Sequence, residues 1–266
     1  MRVDLHSHSK YSFDADKEPA SIAEMAEAAA ARGLDAFAVT DHYDLFRKAA
    51  PITHDIAAVG REIEETKPAF AGRFEILWGI ELGEPHANPA MAQDILSQHR
   101  FDVVVGSLHA MPNDLDLYFH DYAHLDCDAL LRDYFAEVLA MERFGGFDVL
   151  AHLDYPLRVM KLPDNQPSFD NFGEFIAPVL REAVDRGYAL EINAASLFSW
   201  MGHPGPDQWI LREFKRMGGE RISIGSDAHR AADLGRGMTE CADWARQAGF
   251  DHVTLFRNRQ PVRVSL

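Results

Sequence analysis

Seven short runs of β-branched and apolar residues in this chain are each followed at once by histidine, carboxylate or amide side chains. Val3–Leu5 runs into His6 and His8, Ala36–Thr40 into Asp41 and His42, and Ile76–Ile80 into Glu81. Val103–Gly106 is followed by His109, Val149–Ala151 by His152, Ala189–Ile192 by Asn193, and Ile222–Ile224 by Asp227 and His229. Helical patterns fill the intervals. Ser21-Ile-Ala-Glu24 is a capping box that opens an Ala-rich helix ending at Gly33. Further helices are expected over His54 to Lys67, stopping at Pro68, and over Cys127–Arg143, Phe172–Arg186, Asp207–Met217 and Thr239–Gln247. About seven strand–helix alternations with no Pro/Gly/Ser-rich linker predict an α/β fold, a parallel barrel in which residues 1–266 form one domain. A barrel commonly uses a chain of this length as a single unit.

In a parallel barrel the strand ends that follow the apolar runs share one face, where the βα loops converge. Side chains far apart in sequence then meet in one cavity. A lone histidine beside a strand is ordinarily structural. Here six of thirteen histidines sit at or just past strand ends in carboxylate company, and the set as a whole reads as a metal site. In the extended His6-Ser7-His8, residues i and i+2 point the same way, so both imidazoles can reach one ion. Imidazole with carboxylate suits zinc, iron or manganese. Asp14 lies in the loop beyond, and taken alone it reads as a solvated carboxylate, as does Asp16.

The formal net charge of −16, with no Lys/Arg-rich run to offset it, argues against a polymeric nucleic-acid partner. A small anionic substrate is compatible with it, because bound metal ions dominate their own surroundings. Cys127 and Cys241 stand in no CxxC pattern and are expected to be reduced, buried thiols of a cytoplasmic protein. No secretory leader and no membrane-spanning run is expected.

Read together, these pieces resemble the polymerase and histidinol phosphatase (PHP) superfamily. The matching motifs are His6-Ser-His8 with Ser12 and Asp14, Thr40-Asp41-His42, Gly79-Ile-Glu81, Gly106-Ser-Leu-His109, Ala151-His152 and Gly225-Ser-Asp227-Ala-His229, in the family's order. The resemblance implies a distorted seven-stranded TIM-like (β/α) barrel and three divalent transition metals (Zn, Mn or Fe). It implies one metal on His6, His8, Glu81 and Asp227, a second sharing Glu81 with His109 and His152, and a third on Asp14, His42 and His229. Some members carry histidine where Asp14 stands. Asp41 is expected to orient a neighbouring ligand. Within the superfamily the chain is most similar to the single-domain histidinol-phosphate phosphatases, through His152-Leu-Asp154, Leu190-Glu-Ile-Asn193 and the tail Phe256-Arg-Asn-Arg-Gln-Pro-Val262.

The expected activity is hydrolysis of a small phosphate monoester, histidinol phosphate first, with nucleotides, cyclic phosphates or short oligonucleotides as the alternative. No Cys-x5-Arg loop and no DxDx(T/V) motif offers a covalent route, so direct attack by metal-bound hydroxide is expected. Arg158 and Arg230 are candidates for the phosphate oxygens, since the guanidinium fork is bidentate. Asp154 or a metal-bound water is the candidate proton donor to the leaving group. Asn193 and His203 are candidate substrate contacts, and His86 is placed near the pocket. The remaining histidines are assigned structural roles. An amidohydrolase also uses HxH on a barrel, but no lysine follows a central strand here to bridge metals as a carbamate.

Overall fold

The computed structural model describes residues 2–15, 18–45, 51–112, 114–160 and 167–266; Asp16 lies outside the described residues. Eight parallel strands form the barrel wall: β1 (Val3–Asp4), β2 (Ala36–Val39), β3 (His42–Asp44), β4 (Glu75–Gly83), β5 (Val103–Ser107), β6 (Val149–Leu150), β7 (Ala189–Asn193) and β8 (Ile222–Gly225). Since β2 and β3 both pair with β4, they act as one stave interrupted at Thr40 and Asp41, and the wall has seven staves. Backbone hydrogen bonds from Leu5 to Ile224 (2.9 Å), Asp227 to His6 (2.8 Å) and His8 to Ala228 (2.8 Å) close β8 against β1. The strands are buried nearly throughout because helices cover the outside, which explains their almost unbroken apolar runs.

The covering helices are α1 (Ile22–Arg32), α2 (Ile56–Thr66), α3 (Pro89–Gln98), α4 (Cys127–Phe144), α5 (Tyr155–Val159), α6 (Gly173–Arg186), α7 (Gln208–Arg216) and α8 (Met238–Gln247). The capping box of α1 is formed as expected, and Gly33 ends it in the left-handed region at φ 64°. The second helix starts later than its spacing predicts, because Asp55 caps it, and Pro68 sits within a 3₁₀ turn (Lys67–Phe70) that prolongs it. The short helices α3 and α5 were not anticipated. Nor was a hairpin, β9 (His252–Arg257) with β10 (Gln260–Ser265), built from the tail motif.

That hairpin seals the end of the barrel where the strands begin. Its two-residue turn, Asn258 and Arg259, has both φ values positive (48° and 63°), the backbone of a tight hairpin whose twist matches its strands. Arg257 forks onto Glu75 at the start of β4 (2.7 and 2.5 Å), and Arg259 binds Asp148, just before β6 (3.0 Å). Asp102, just before β5, accepts the Asn258 N–H through its carboxylate (3.0 Å) and the Arg259 N–H through its carbonyl (2.8 Å). Cys241 is buried and Cys127 half-buried, and neither is in a disulfide. Among the described residues no helix is long and apolar enough to cross a membrane.

Candidate metal centre

Glu81 stands at the middle of the opposite end, wholly buried near the end of β4. Its two oxygens face different partners. Oε2 lies 3.0 Å from His6 Nε2, 3.5 Å from His8 Nε2 and 3.0 Å from His42 Nδ1. Oε1 lies 3.0 Å from His152 Nε2 and 3.1 Å from His109 Nε2, and those two nitrogens are 3.4 Å apart. Asp227, with φ 57° in the turn after β8, brings Oδ1 to 3.2 Å from His8 Nε2 and 3.8 Å from His6 Nε2. At the rim, Asp14 Oδ2 is 2.8 Å from His229 Nε2 and 3.5 Å from His42 Nε2. The His8 ring stacks between those of His42 (4.3 Å) and His229 (4.1 Å). All nine residues named from the sequence as ligands therefore converge. His42 turns one nitrogen to Glu81 and the other to Asp14, so it joins two of the groups.

The charges are matched in an unusual way. Burial alone lowers the His6 pKa, but Glu191, Glu81 and Asp227 outweigh it and hold that imidazole well above its ordinary value. Burial, with His229 and His42 beside it, pushes His8 down to about 3. Burial raises Glu81, yet His42, His6 and His109 hold its carboxyl well below the usual range. The donor set fits shared cations. His42 Nδ1 and His229 Nε2 stand 3.0 and 2.8 Å from carboxylate oxygens, yet both are buried nitrogens without a hydrogen bond. Nitrogens and carboxylate oxygens set this close without a hydrogen bond can turn their lone pairs on a cation between them. Ligands about 2.0–2.1 Å from one ion are themselves roughly 3–3.5 Å apart.

The sequence pattern that defines the PHP domain matches residues 4–195, a stretch that takes in all these positions except Asp227 and His229. The chain belongs to the PHP family. Among relatives of this PHP chain, a probable histidinol-phosphatase of Thermotoga maritima is 29% identical over 253 residues, 95% of each chain. The histidinol-phosphatase of Lactococcus lactis is 26% identical over 262 residues, 96% of this chain and 94% of its own. The fold is that of the crystal structure of histidinol phosphate phosphatase from Lactococcus lactis, solved with zinc, L-histidinol and phosphate: TM-score 0.87, 23% identity, 98% of both chains.

Around these nine residues of the PHP chain lies a ring of acids. Asp41, placed behind the ligands by the sequence, accepts from the Ser9 N–H (2.6 Å), the Ser9 hydroxyl (2.7 Å) and the Ser12 hydroxyl (3.1 Å). The Ser12 hydroxyl also lies 3.1 Å from His8 Nδ1, so Asp41 reaches that ligand through Ser12. Three further acids were given no role from the sequence. Glu191 Oε1 is 2.7 Å from His6 Nδ1, and Asp44 Oδ1 is 3.5 Å from His109 Nδ1. Glu84, in left-handed backbone at φ 48°, accepts from the backbone N–H groups of His109 (2.5 Å) and Ala110 (3.0 Å). Burial and nearby Asp44 push its carboxyl up to about 8. The sequence signal for Glu191 was present in Leu190-Glu-Ile-Asn193, two residues before a strand end.

Two of the expected substrate residues join the centre. Arg158 donates to Asp227 Oδ2 (2.8 Å) and Asn193 Oδ1 (3.1 Å), and Asn193 Nδ2 donates to Glu191 Oε2 (3.1 Å). Others are engaged elsewhere. Arg230 is half-exposed and forks onto Asp233, with Glu18 3.5 Å away, because the turn after His229 carries it onto the start of a 3₁₀ turn. The Asp154 carboxyl is buried under Gly205, accepts the Ser196 hydroxyl, which anchors the loop after β7, and helps to hold the charge of Arg158. His203 stacks on Trp244 at 5.2 Å with Asp207 3.4 Å away, and His86 is 2.6 Å from Glu137.

Proposed function

We propose that this PHP chain hydrolyses L-histidinol phosphate to L-histidinol and phosphate. The observation that carries the reading is the split carboxylate: each Glu81 oxygen faces its own group of imidazoles, as a bridge between two cations requires. His6, His8 and Asp227 would complete one position, His109 and His152 a second, and Asp14, His42 and His229 a third, for zinc, manganese or iron. Divalent ions held there would neutralise the phosphoryl charge and bring water towards ionisation near neutral pH. The substrate class is supported by relatives that match this chain along nearly their whole length.

The chain's own residues do the rest. Arg158, only 13% exposed, is held on the edge of the ligand set by Asp227 and Asn193, with further donors for a phosphoryl oxygen. Glu81 stays ionised because the imidazoles around it outweigh its burial. The side-chain amide of Asn193 ties Asp227 (3.3 Å) to Glu191 and so fixes the Arg158 fork. We read residues 1–266 as one such unit. We place it in the cytoplasm, where two unpaired thiols remain reduced. Steady-state kinetics on histidinol phosphate beside nucleotides, cyclic phosphates, short oligonucleotides and sugar phosphates test the reading. Histidinol phosphate is expected to lead in kcat/KM by about 100-fold or more, a transition-state preference of roughly 2.7 kcal/mol. A nucleotide or oligonucleotide turned over as well or better overturns it.

A further inference from the structure

Glu191 touches ligands of two different groups. It lies on β7, and His6 lies just beyond β1, with the whole of β8 between them. The carboxylate crosses that gap because position 225 on β8 is glycine. A Cβ there would stand 2.7 Å from Glu191 Oε1 and would also collide with His6 Cβ. Oε1 lies 2.7 Å from His6 Nδ1, which leaves His6 Nε2 bare towards Glu81. Oε2 accepts the His152 backbone N–H (2.8 Å) and the Asn193 amide (3.1 Å). The first bond sets the tautomer and tilt of a ligand on the Oε2 side of Glu81. The second fixes the end of β6, from which the His152 ring reaches Glu81 Oε1.

We infer that Glu191 is a positioning residue that couples the two ion positions on either side of Glu81, holding His6 by its side chain and His152 by its backbone at once. The inference rests on the metal reading above, not on the identity of the substrate. It requires that both carboxylate oxygens act as acceptors, which glutamine cannot reproduce: one end of its amide is a donor and would face an N–H. Among the described residues Glu191 makes no direct contact with Asp14, His42 or His229, so the rim position is reached from it only through intermediaries.

The test is zinc binding to metal-free protein, followed by competition with a chromophoric chelator, for wild type, Glu191→Gln and Gly225→Ala. The alanine keeps the glutamate but its Cβ crowds both the carboxylate oxygen and the His6 Cβ, so the two must part. In both variants the affinity of the tightly bound ions is expected to fall about 10–100-fold, the range for loss of a partner behind a ligand. The ion at the rim should be affected least, and circular dichroism should show a folded metal-free protein. Turnover should fall through kcat, with KM for the phosphate ester unchanged. Wild-type zinc affinity in either folded variant overturns the inference, as does a loss that only follows unfolding. Should the chain bind zinc tightly but prefer another ester, the function proposed above fails while this inference stands.

Discussion

Where the strands begin, Glu75 and Asp148 meet the guanidinium groups of Arg257 and Arg259. Where they end, Glu81, Asp227 and Asp14 meet imidazoles instead. Both ends gather carboxylates around the barrel axis. At the first, the chain brings permanent cations of its own. At the second it brings bases that carry a proton only conditionally, and His8 is pushed down to about 3. The difference teaches how to tell a structural acid from a functional one. A carboxylate with both oxygens held by arginine, as in Glu75 and Asp148, is closed to ligands, while one crowded by imidazoles, which can give up their protons, stays open to a cation.

The widest separation between the two ends is expected from Glu81→Gln. It removes the anion that both groups of imidazoles share, so metal content and turnover should fall together, kcat by more than the roughly 100-fold typical of a partner behind a ligand. Elemental analysis beside kinetics checks this, and an active variant with its metals in place breaks the comparison. Arg158→Ala comes next. Among the described residues Arg158 is the one arginine placed among the imidazoles' carboxylates, bound to Asp227. Its loss should lower kcat/KM by about 1.5–3 kcal/mol, the scale of a charge-assisted hydrogen bond, with metal content unchanged. Full efficiency in this variant would put the phosphate site elsewhere.

At the other end, Arg259→Ala should leave kcat and KM untouched and cost about 1–2 kcal/mol in urea unfolding. That is less than a fully buried pair would cost, because Arg259 is a third exposed. A change in turnover would show that the two ends communicate. The smallest change is one of slope. Glu142, fully buried in α4 with both carboxyl oxygens unpartnered, has neither arginine nor imidazole on it. Burial, helped by Glu182, raises its carboxyl well above the ordinary value against Arg186 and Arg143. A raised acid contributes stability that is present below the unfolded value, about pH 4.3, and is lost as pH climbs through the native value. Glu142→Gln should flatten that decline and be more stable than wild type at neutral pH. An unchanged stability-versus-pH curve would show that Glu142 is ionised in the native protein.

The convergence of the nine residues was legible in the sequence because strand ends in a parallel barrel share a face, so a histidine or carboxylate just past an apolar run is a spatial statement. The barrel and its seven staves followed from the same alternation. What stayed hidden depends on direction rather than position. Glu191 and Asp44 lie inside strands, and nothing in a linear sequence says that their side chains point at His6 and His109. Arg230 and Asp154 sit beside ligands in sequence, yet a turn carries the first to Asp233 and the second is tucked beneath Gly205. α3 was passed over because its ten residues are short and mixed in polarity, with a proline in the first turn. The tail read as a family motif without a shape, since a hairpin turn of Asn258 and Arg259 lacks the glycine that usually marks one.

The hairpin turn also bears on how the barrel comes together. Arg257 and Glu75 are 182 residues apart in the chain, Asn258 and Asp102 are 156 apart, and Arg259 and Asp148 are 111 apart. Contacts so remote in sequence are late and slow to form. All three need β4, β5 and β6 already side by side. A strand slipped by one residue moves its acid about 3.3 Å and turns alternate side chains to the other face, out of reach of a rigid two-residue turn. The turn thus works as a gauge: it seats only on three strands in correct register, and the register it accepts is the one that aligns Glu81, His109 and His152 at the far end.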